Sequence, residues 1–329
     1  MTVGGRSGED DRRGAGSARP TVRGSVVQGG AAFGGLYRPV DDETVHEALQ
    51  TAWDLGVRAF DTAPHYGVGV SEERLGRFLA ERPREEFTLS TKVGRLLVDD
   101  PAAPTEDEGF AGTPRRRRVR DYSADGVRRS LEESLTRLGL DRVDLVLIHD
   151  PEDHLDTAVQ EAAPALTALR DEGVIGGYGV GTNFSEVALR LVQQTDLDAV
   201  LIAGRYTLLD RRAEAQLLPA CTERGVQVLP AGLLNSGLLA DPDAADPHFD
   251  YVAASPEIVA VAQELQRRCR RFGVELRAAA LQFPLRHPAV AAVVTGAGTA
   301  AEVRDCHAQL EADIDAELWA ELDEVCARL

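Results

Sequence analysis

Residues 58–76, RAFDTAPHYGVGVSEERLG, set the reading of this chain. A short apolar run ends in Asp61, as a buried strand would. Tyr66 follows five residues later among glycines, and Ser71 stands where an amphipathic segment begins, as a capping residue does. The stretch therefore predicts one strand, one loop and one helix, with polar groups collected where the strand stops.

Working outward, the same unit recurs. Candidate strands lie at 24–29, 57–61, 87–92, 143–149, 175–181, 199–203, 226–231 and 291–296. Helical segments are expected near 42–55, 72–82, 123–138, 155–172, 185–194, 211–224, 256–286, 300–310 and 316–328. Asp41, Ser71, Ser123, Ser185 and Ser255 stand before such stretches as candidate caps. Eight strands that each lead into a helix predict an α/β fold, a (β/α)8 TIM barrel of one domain. The near-continuous apolarity of VDLVLIH (143–149) and AVLIA (199–203) suits strands buried on both faces. A doubly wound open sheet is the alternative, but QGGAAFGG (28–35) lacks the GxGxxG spacing at the first turn. Residues 1–20, rich in Gly, Arg, Asp and Ser, read as a disordered tail before a barrel domain at 21–329.

Two segments interrupt the spacing: 95–122, and 233–255. Both follow strands, so both are expected as long loops on the face where barrel active sites lie. Within the first, Arg115–Arg118 reads as a solvated loop face.

Composition narrows the function. The formal charge of −18 excludes an extended phosphate-binding surface, so nucleic acid is not the expected partner. Four separated cysteines with no CxxC suggest reduced thiols and a cytoplasmic setting. No apolar run reaches the length of a membrane span. The oligomeric state is left open.

Asp61, Lys92 and His149 fall at the ends of the second, third and fourth strands, with Tyr66 in the loop between the first two. In a barrel these ends are neighbours. Taken singly, each has a structural reading: a turn cap, a packed aromatic, a rim cation, a satisfied buried histidine. Together, within DTAxxYGxGxSExxLG (61–76), STKVG (90–94), SLEESLTRLGLDRVDLVLIHD (130–150) and GVGTNF (179–184), they resemble the aldo-keto reductase tetrad. The likeness spans about residues 22–312. More narrowly, PHYGVGVSEERLG (64–76), STKVGRLL (90–97) and LIAGRYTLLD (201–210) are similar to the aldose 1-dehydrogenase group, which includes L-fucose and D-threo-aldose dehydrogenases.

The resemblance implies an NAD(P)-dependent oxidoreductase in which Tyr66 carries the proton. An isolated tyrosine has a pKa near ~10, so phenolate at pH 7 costs about 4 kcal/mol. Lys92 is expected to stabilise it, Asp61 to hold Lys92 charged, and His149 to bond the reacting oxygen. The expected reaction oxidises the anomeric hydroxyl of an aldose to a lactone.

Where the family carries Ser-Asn to hold the nicotinamide amide, this chain has Thr182-Asn183, whose structural reading is a cap for the helix at 185. Two further family contacts are replaced by Ala203 and Ala231. TGAGTAAEVRDC (295–306) is the expected phosphate-binding turn, its backbone amides free to cradle phosphate. Gly296, Gly298, Glu302 and Cys306 occupy cofactor-binding positions, several of them basic in many relatives. A glutamate repels a 2′-phosphate and accepts from a ribose hydroxyl, so NAD is expected over NADP; Arg304 is a side chain that could still serve NADP. Substrate choice is assigned to Trp53, His65, Arg205 and the two long loops.

Other readings are a pyridoxal 4-dehydrogenase, an NAD(P)H-dependent ketone or aldehyde reductase, and a dinucleotide-binding regulatory subunit. A metal-dependent hydrolase would need ligands at several strand ends. HDPEDH (149–154) offers only a local cluster, more simply a helix start, and no metal is expected.

Overall fold

The structure, a computed structural model, describes residue 22 and residues 24–329. The tail expected at 1–20 lies outside the described residues. Eight parallel strands form one sheet: β1 (Val26–Gly29), β2 (Ala59–Asp61), β3 (Thr88–Val93), β4 (Val143–His149), β5 (Ile175–Thr182), β6 (Ala199–Ala203), β7 (Gln227–Ala231) and β8 (Val293–Thr295). Their order is β7-β6-β5-β4-β3-β2-β1-β8. The remaining seam is drawn together where Val228 pairs with Val290 on the approach to β8. This is the expected barrel.

Packing follows from the alternation of side chains along each strand. Inward residues, among them Val27, Ala59, Leu147, Leu201 and Val294, fill the barrel interior. Outward residues such as Phe60, Leu89, Val146 and Val200 join the larger core beneath the helices. The longer helices are α1 (Asp42–Asp54), α2 (Val70–Leu79), α3 (Ala124–Leu138), α4 (Ala163–Asp171), α5 (Ser185–Gln194), α6 (Leu217–Arg224), α7 (Pro256–Arg271), α8 (Leu276–Gln282), α9 (Ala300–Glu311) and α10 (Ala316–Cys326), with a π-helical stretch, Ala158–Ala162, leading into α4. No helix among the described residues is long and apolar enough to cross a membrane.

Asp41, Ser123 and Ser255 cap α1, α3 and α7 through backbone amides, as expected. Ser71 does not cap. It lies inside α2, fully buried, and its hydroxyl donates to the Gly30 carbonyl and bonds Thr62 Oγ1. The helix starts at Val70, two residues earlier than expected, so Ser71 ties it to the ends of β1 and β2. Ser185 is likewise the first residue of α5, behind Phe184. The single helix expected over 256–286 breaks after Arg271, where Gly273 takes φ +68°.

The segment 95–122 is not an irregular loop. Arg95–Asp99 pairs antiparallel with Arg116–Arg120, and Glu106–Asp107 with Phe110–Ala111. Its arginines divide: Arg115 and Arg117 are exposed, as a solvated face requires, whereas the Arg118 side chain is tucked in and bonds Asp107 and the His65 carbonyl, and Arg116 reaches Glu73 and Val68. The second long loop carries a small hairpin, His248–Phe249 with Val252–Ala253.

Candidate active site

Parallel register brings the four groups together. Asp61 ends β2 beside Ser90, Lys92 lies across from Leu147, and His149 ends β4 beside Gly181. Lys92 Nζ donates to Asp61 Oδ2 at 2.6 Å and to the Thr62 carbonyl at 2.9 Å. Ser90 Oγ donates to the other Asp61 oxygen at 2.7 Å. Tyr66 is placed by a close crossing of two loops. A Cβ on Gly34 would fall 2.5 Å from the Tyr66 carbonyl carbon, and Gly67 takes φ +63°. The ring then sits 4.5 Å from Lys92 Nζ and meets His149 edge-on, with centroids 5.9 Å apart.

Burial sets the electrostatics. It would depress Lys92, but the Asp61 carboxylate and Tyr66 outweigh it and hold the ammonium above its ordinary range. Burial pushes Tyr66 up to about 12 although Lys92 pulls the other way. The cation thus acts in the direction that stabilises phenolate, but burial opposes it more strongly. Burial, aided by Lys92, Arg95 and His65, holds His149 well below the usual imidazole range. The same burial, with Arg95, Arg118, Lys92 and Arg120, takes His65 down to about 2.

A cavity of about 610 Å³ opens above these groups. Thr182, Asn183, Gly296 and His65 line it, as do Ala203 and Ala231. A second cavity, of about 640 Å³, shares Gly232, Val294, Thr295 and Gly296 with the first and continues to Glu302 and Cys306. The two make one trough from the tetrad to the start of α9.

Thr182 does not cap α5 itself; its hydroxyl accepts from the Phe184 amide. Arg205 stands behind the cavity wall rather than in it, donating to the Asn183 carbonyl at 2.6 Å and pairing with Asp250 at 2.8 Å. Glu302 is engaged. Its carboxylate accepts from the Gly298 and Thr299 amides at 2.8 and 3.2 Å, completes a capping box and pairs with Arg38. Two amides of the turn, those of Gly298 and Thr299, are therefore already taken by the chain's own anion. Trp53 is the misplaced expectation. It lies on α1 outside the barrel wall, stacked on Phe60, with Arg58 3.8 Å from its ring centroid. HDPEDH runs into a helical turn at Glu152–His154.

Sequence reasoning missed Arg95, Glu108, Phe110 and Asp150. Phe110 lies nearly parallel to Tyr66, and Arg95 joins Glu108, Asp150 and His65. Arg95 and Asp150 come just past β3 and β4, the same strand-end signal that singled out Lys92 and His149.

The family model described as Aldo/keto reductase family matches residues 25–327. D-threo-aldose 1-dehydrogenase of a Pseudomonas species is 42% identical over 302 residues, which is 90% of this chain and 92% of that protein. Pyridoxal 4-dehydrogenase of Microbacterium luteolum is 39% identical over 313 residues, 89% of this chain and 91% of that one. Among solved structures, glycerol dehydrogenase from Gluconobacter oxydans matches with a TM-score of 0.75 at 28% identity, over 92% of this chain and 91% of that one.

Proposed function

The chain belongs to the aldo/keto reductase family, an oxidoreductase acting on CH–OH groups with a nicotinamide cofactor, and from that premise we propose that it oxidises the anomeric hydroxyl of an aldose to a lactone. The observation that carries the reading is the buried Asp61–Lys92 pair beneath Tyr66, with His149 closing the other side.

The shape of the trough supports a dinucleotide. Two joined cavities of about 610 and 640 Å³ suit a long, two-lobed ligand, and nothing lies within 4 Å of a Cβ built on Gly296 at their junction. Thr182 and Asn183 would hold the nicotinamide end; Gly296, Gly298, Glu302 and Cys306 would flank the adenosine end. When bound, the cofactor supplies the acceptor for the C1 hydride. Glu302 favours NAD, because a fixed carboxylate with its own amide donors opposes a 2′-phosphate.

Tyr66 takes the hydroxyl proton as the C1–H bond breaks and the C=O bond of the lactone forms. Lys92 stabilises the negative charge that Tyr66 must carry beforehand, Asp61 keeps Lys92 charged, and His149 bonds the reacting oxygen. With Tyr66 near 12, phenolate at pH 7 costs roughly 7 kcal/mol. Oxidation should therefore rise with pH through the alkaline range, and reduction should fall.

A second substrate is favoured by one feature. Phe110 stacks at 29° to Tyr66 and forms an aromatic wall beside His65, which suits the cyclic hemiacetal of pyridoxal. Following NADH absorbance with L-fucose, D-arabinose, L-galactose and pyridoxal separates the two. Tyr66→Phe should abolish turnover while leaving cofactor binding, read by quenching of tryptophan fluorescence, intact. Near-normal turnover in that variant would remove the assignment.

A further inference from the structure

We propose that Arg95 is a positioning residue of this site: its guanidinium holds His65 as the Nε2–H tautomer and keeps Asp150 from charging His149. The function of this arrangement rests on Tyr66 and His149 being the reacting centre, as argued above.

Gly94 turns the chain at the end of β3 with φ +103°, and a Cβ there would lie 2.3 Å from the Tyr122 ring. That bend aims Arg95 inward, where its side chain is 6% exposed. Nη1 donates to His65 Nδ1 at 3.1 Å and to Glu108 Oε2 at 3.0 Å; Nη2 donates to Asp150 Oδ2 at 2.7 Å. An arginine has donors only, so this contact is a hydrogen bond only when the His65 nitrogen facing it presents a lone pair. The proton then sits on Nε2.

Each carboxylate held by Arg95 also faces an imidazole. Glu108 Oε2 lies 3.4 Å from His65 Nδ1, and Asp150 Oδ2 lies 3.4 Å from His149 Nε2. Without Arg95, both carboxylates would favour the imidazolium. Opposing them are burial and the cations Lys92, Arg118 and Arg120 around His65, and Lys92 around His149, with the neutral Tyr66 beside both rings. A charged His149 would have no lone pair for a proton, and would set a second cation beside Lys92.

Arg95 is not needed to hold the hairpin in place. Tyr37 N donates to Gly109 O at 2.7 Å, Ala111 N donates to Gly35 O at 3.0 Å, and Arg118 pairs with Asp107 at 2.7 Å. The backbone of Arg95 keeps its ladder position opposite Arg120 whatever its side chain.

The test is nitrogen-15 imidazole NMR of the full chain from pH 5 to 9, beside the pH profile of kcat/KM. In the native protein, both imidazoles should stay neutral throughout, with His65 protonated on Nε2. In Arg95→Met, at least one should gain a titration midpoint in this range. Its kcat/KM should then fall roughly tenfold per pH unit below that midpoint, a limb absent from the native profile. Should Arg95→Met fail to fold, the charge-balanced Arg95→Met/Asp150→Asn variant keeps Glu108 beside His65 and should still show a His65 midpoint. Neutral imidazoles throughout in the variants, or a native His65 protonated on Nδ1, would overturn the proposal. The NMR readout does not depend on turnover, so an active Tyr66→Phe would remove the catalytic assignment and leave this one standing.

Discussion

Replacing Asp61 by Asn separates what the buried pair does for the fold from what it does for chemistry. Asn keeps the size of Asp and retains an oxygen for the Ser90 hydroxyl, while the charge and the acceptor facing Lys92 are lost. Lys92 then stands in the barrel with 1% of its side chain exposed and no counter-ion at 2.6 Å. Breaking such a pair from one side costs about 3–5 kcal/mol, because the remaining charge is buried and uncompensated. For a chain of this size that lowers Tm by roughly 4–7 °C. Burial, now unopposed by Asp61, drives Lys92 towards its neutral form, and Tyr66 loses its cation. Turnover should fall by about 10²-fold or more. The companion variant Asp61→Asn/Lys92→Met removes both charges and should regain most of the lost Tm while turnover stays low. Circular-dichroism melting and initial rates of sugar oxidation read the two effects separately. A single variant losing less than about 1 kcal/mol, or a double variant as unstable as the single, would refute the reasoning.

Glu302→Gln keeps an acceptor for the Gly298 and Thr299 amides but removes the charge. A doubly charged phosphate about 5 Å from a carboxylate in water-like surroundings is opposed by about 1–2 kcal/mol. The KM ratio of NADP to NAD should therefore fall about tenfold, and an unchanged ratio would remove Glu302 from cofactor selection. Acid stability should expose His65. Its folded pKa of about 2 lies below the unfolded 6.5, so its contribution is present above pH 6.5 and is lost as pH falls towards 2. Urea unfolding at pH 5.0 to 6.5 should show His65→Gln losing less stability on acidification than the native chain, by about 1.4 kcal/mol per pH unit. Equal slopes would contradict a buried neutral His65.

The barrel was legible because each parallel strand is buried on both faces and ends where the apolar run ends. Asp61, Lys92 and His149 could be read for the same reason: the turn from strand to helix fixes where the first polar side chain points. Ser71 was misread because a serine near a helix start can bond either the helix's own amides or a neighbouring strand, and only packing decides. Trp53 failed differently. Its cation and stacking partners, Arg58 and Phe60, explain it without a ligand. Arg118 could not be told from its exposed neighbours Arg115 and Arg117, because the antiparallel pairing that turns it inward is not written in a local period. Glu302 also accepts from the Gly298 and Thr299 amides of the turn before its helix, a capping role that the sequence pattern alone did not single out.

The hairpin has one more consequence. It leaves the barrel at Arg95 and returns at Arg120, and these two residues face each other in its ladder. Its ends are thus already joined, and little loop-closure entropy changes if the tip between them is shortened, lengthened or exchanged. None of the four tetrad residues lies on it, yet it supplies Glu108 and Phe110 to the cavity wall. The fold therefore carries part of the cavity wall on an insert that can vary in length and sequence while the strands that bear the tetrad keep their pairing.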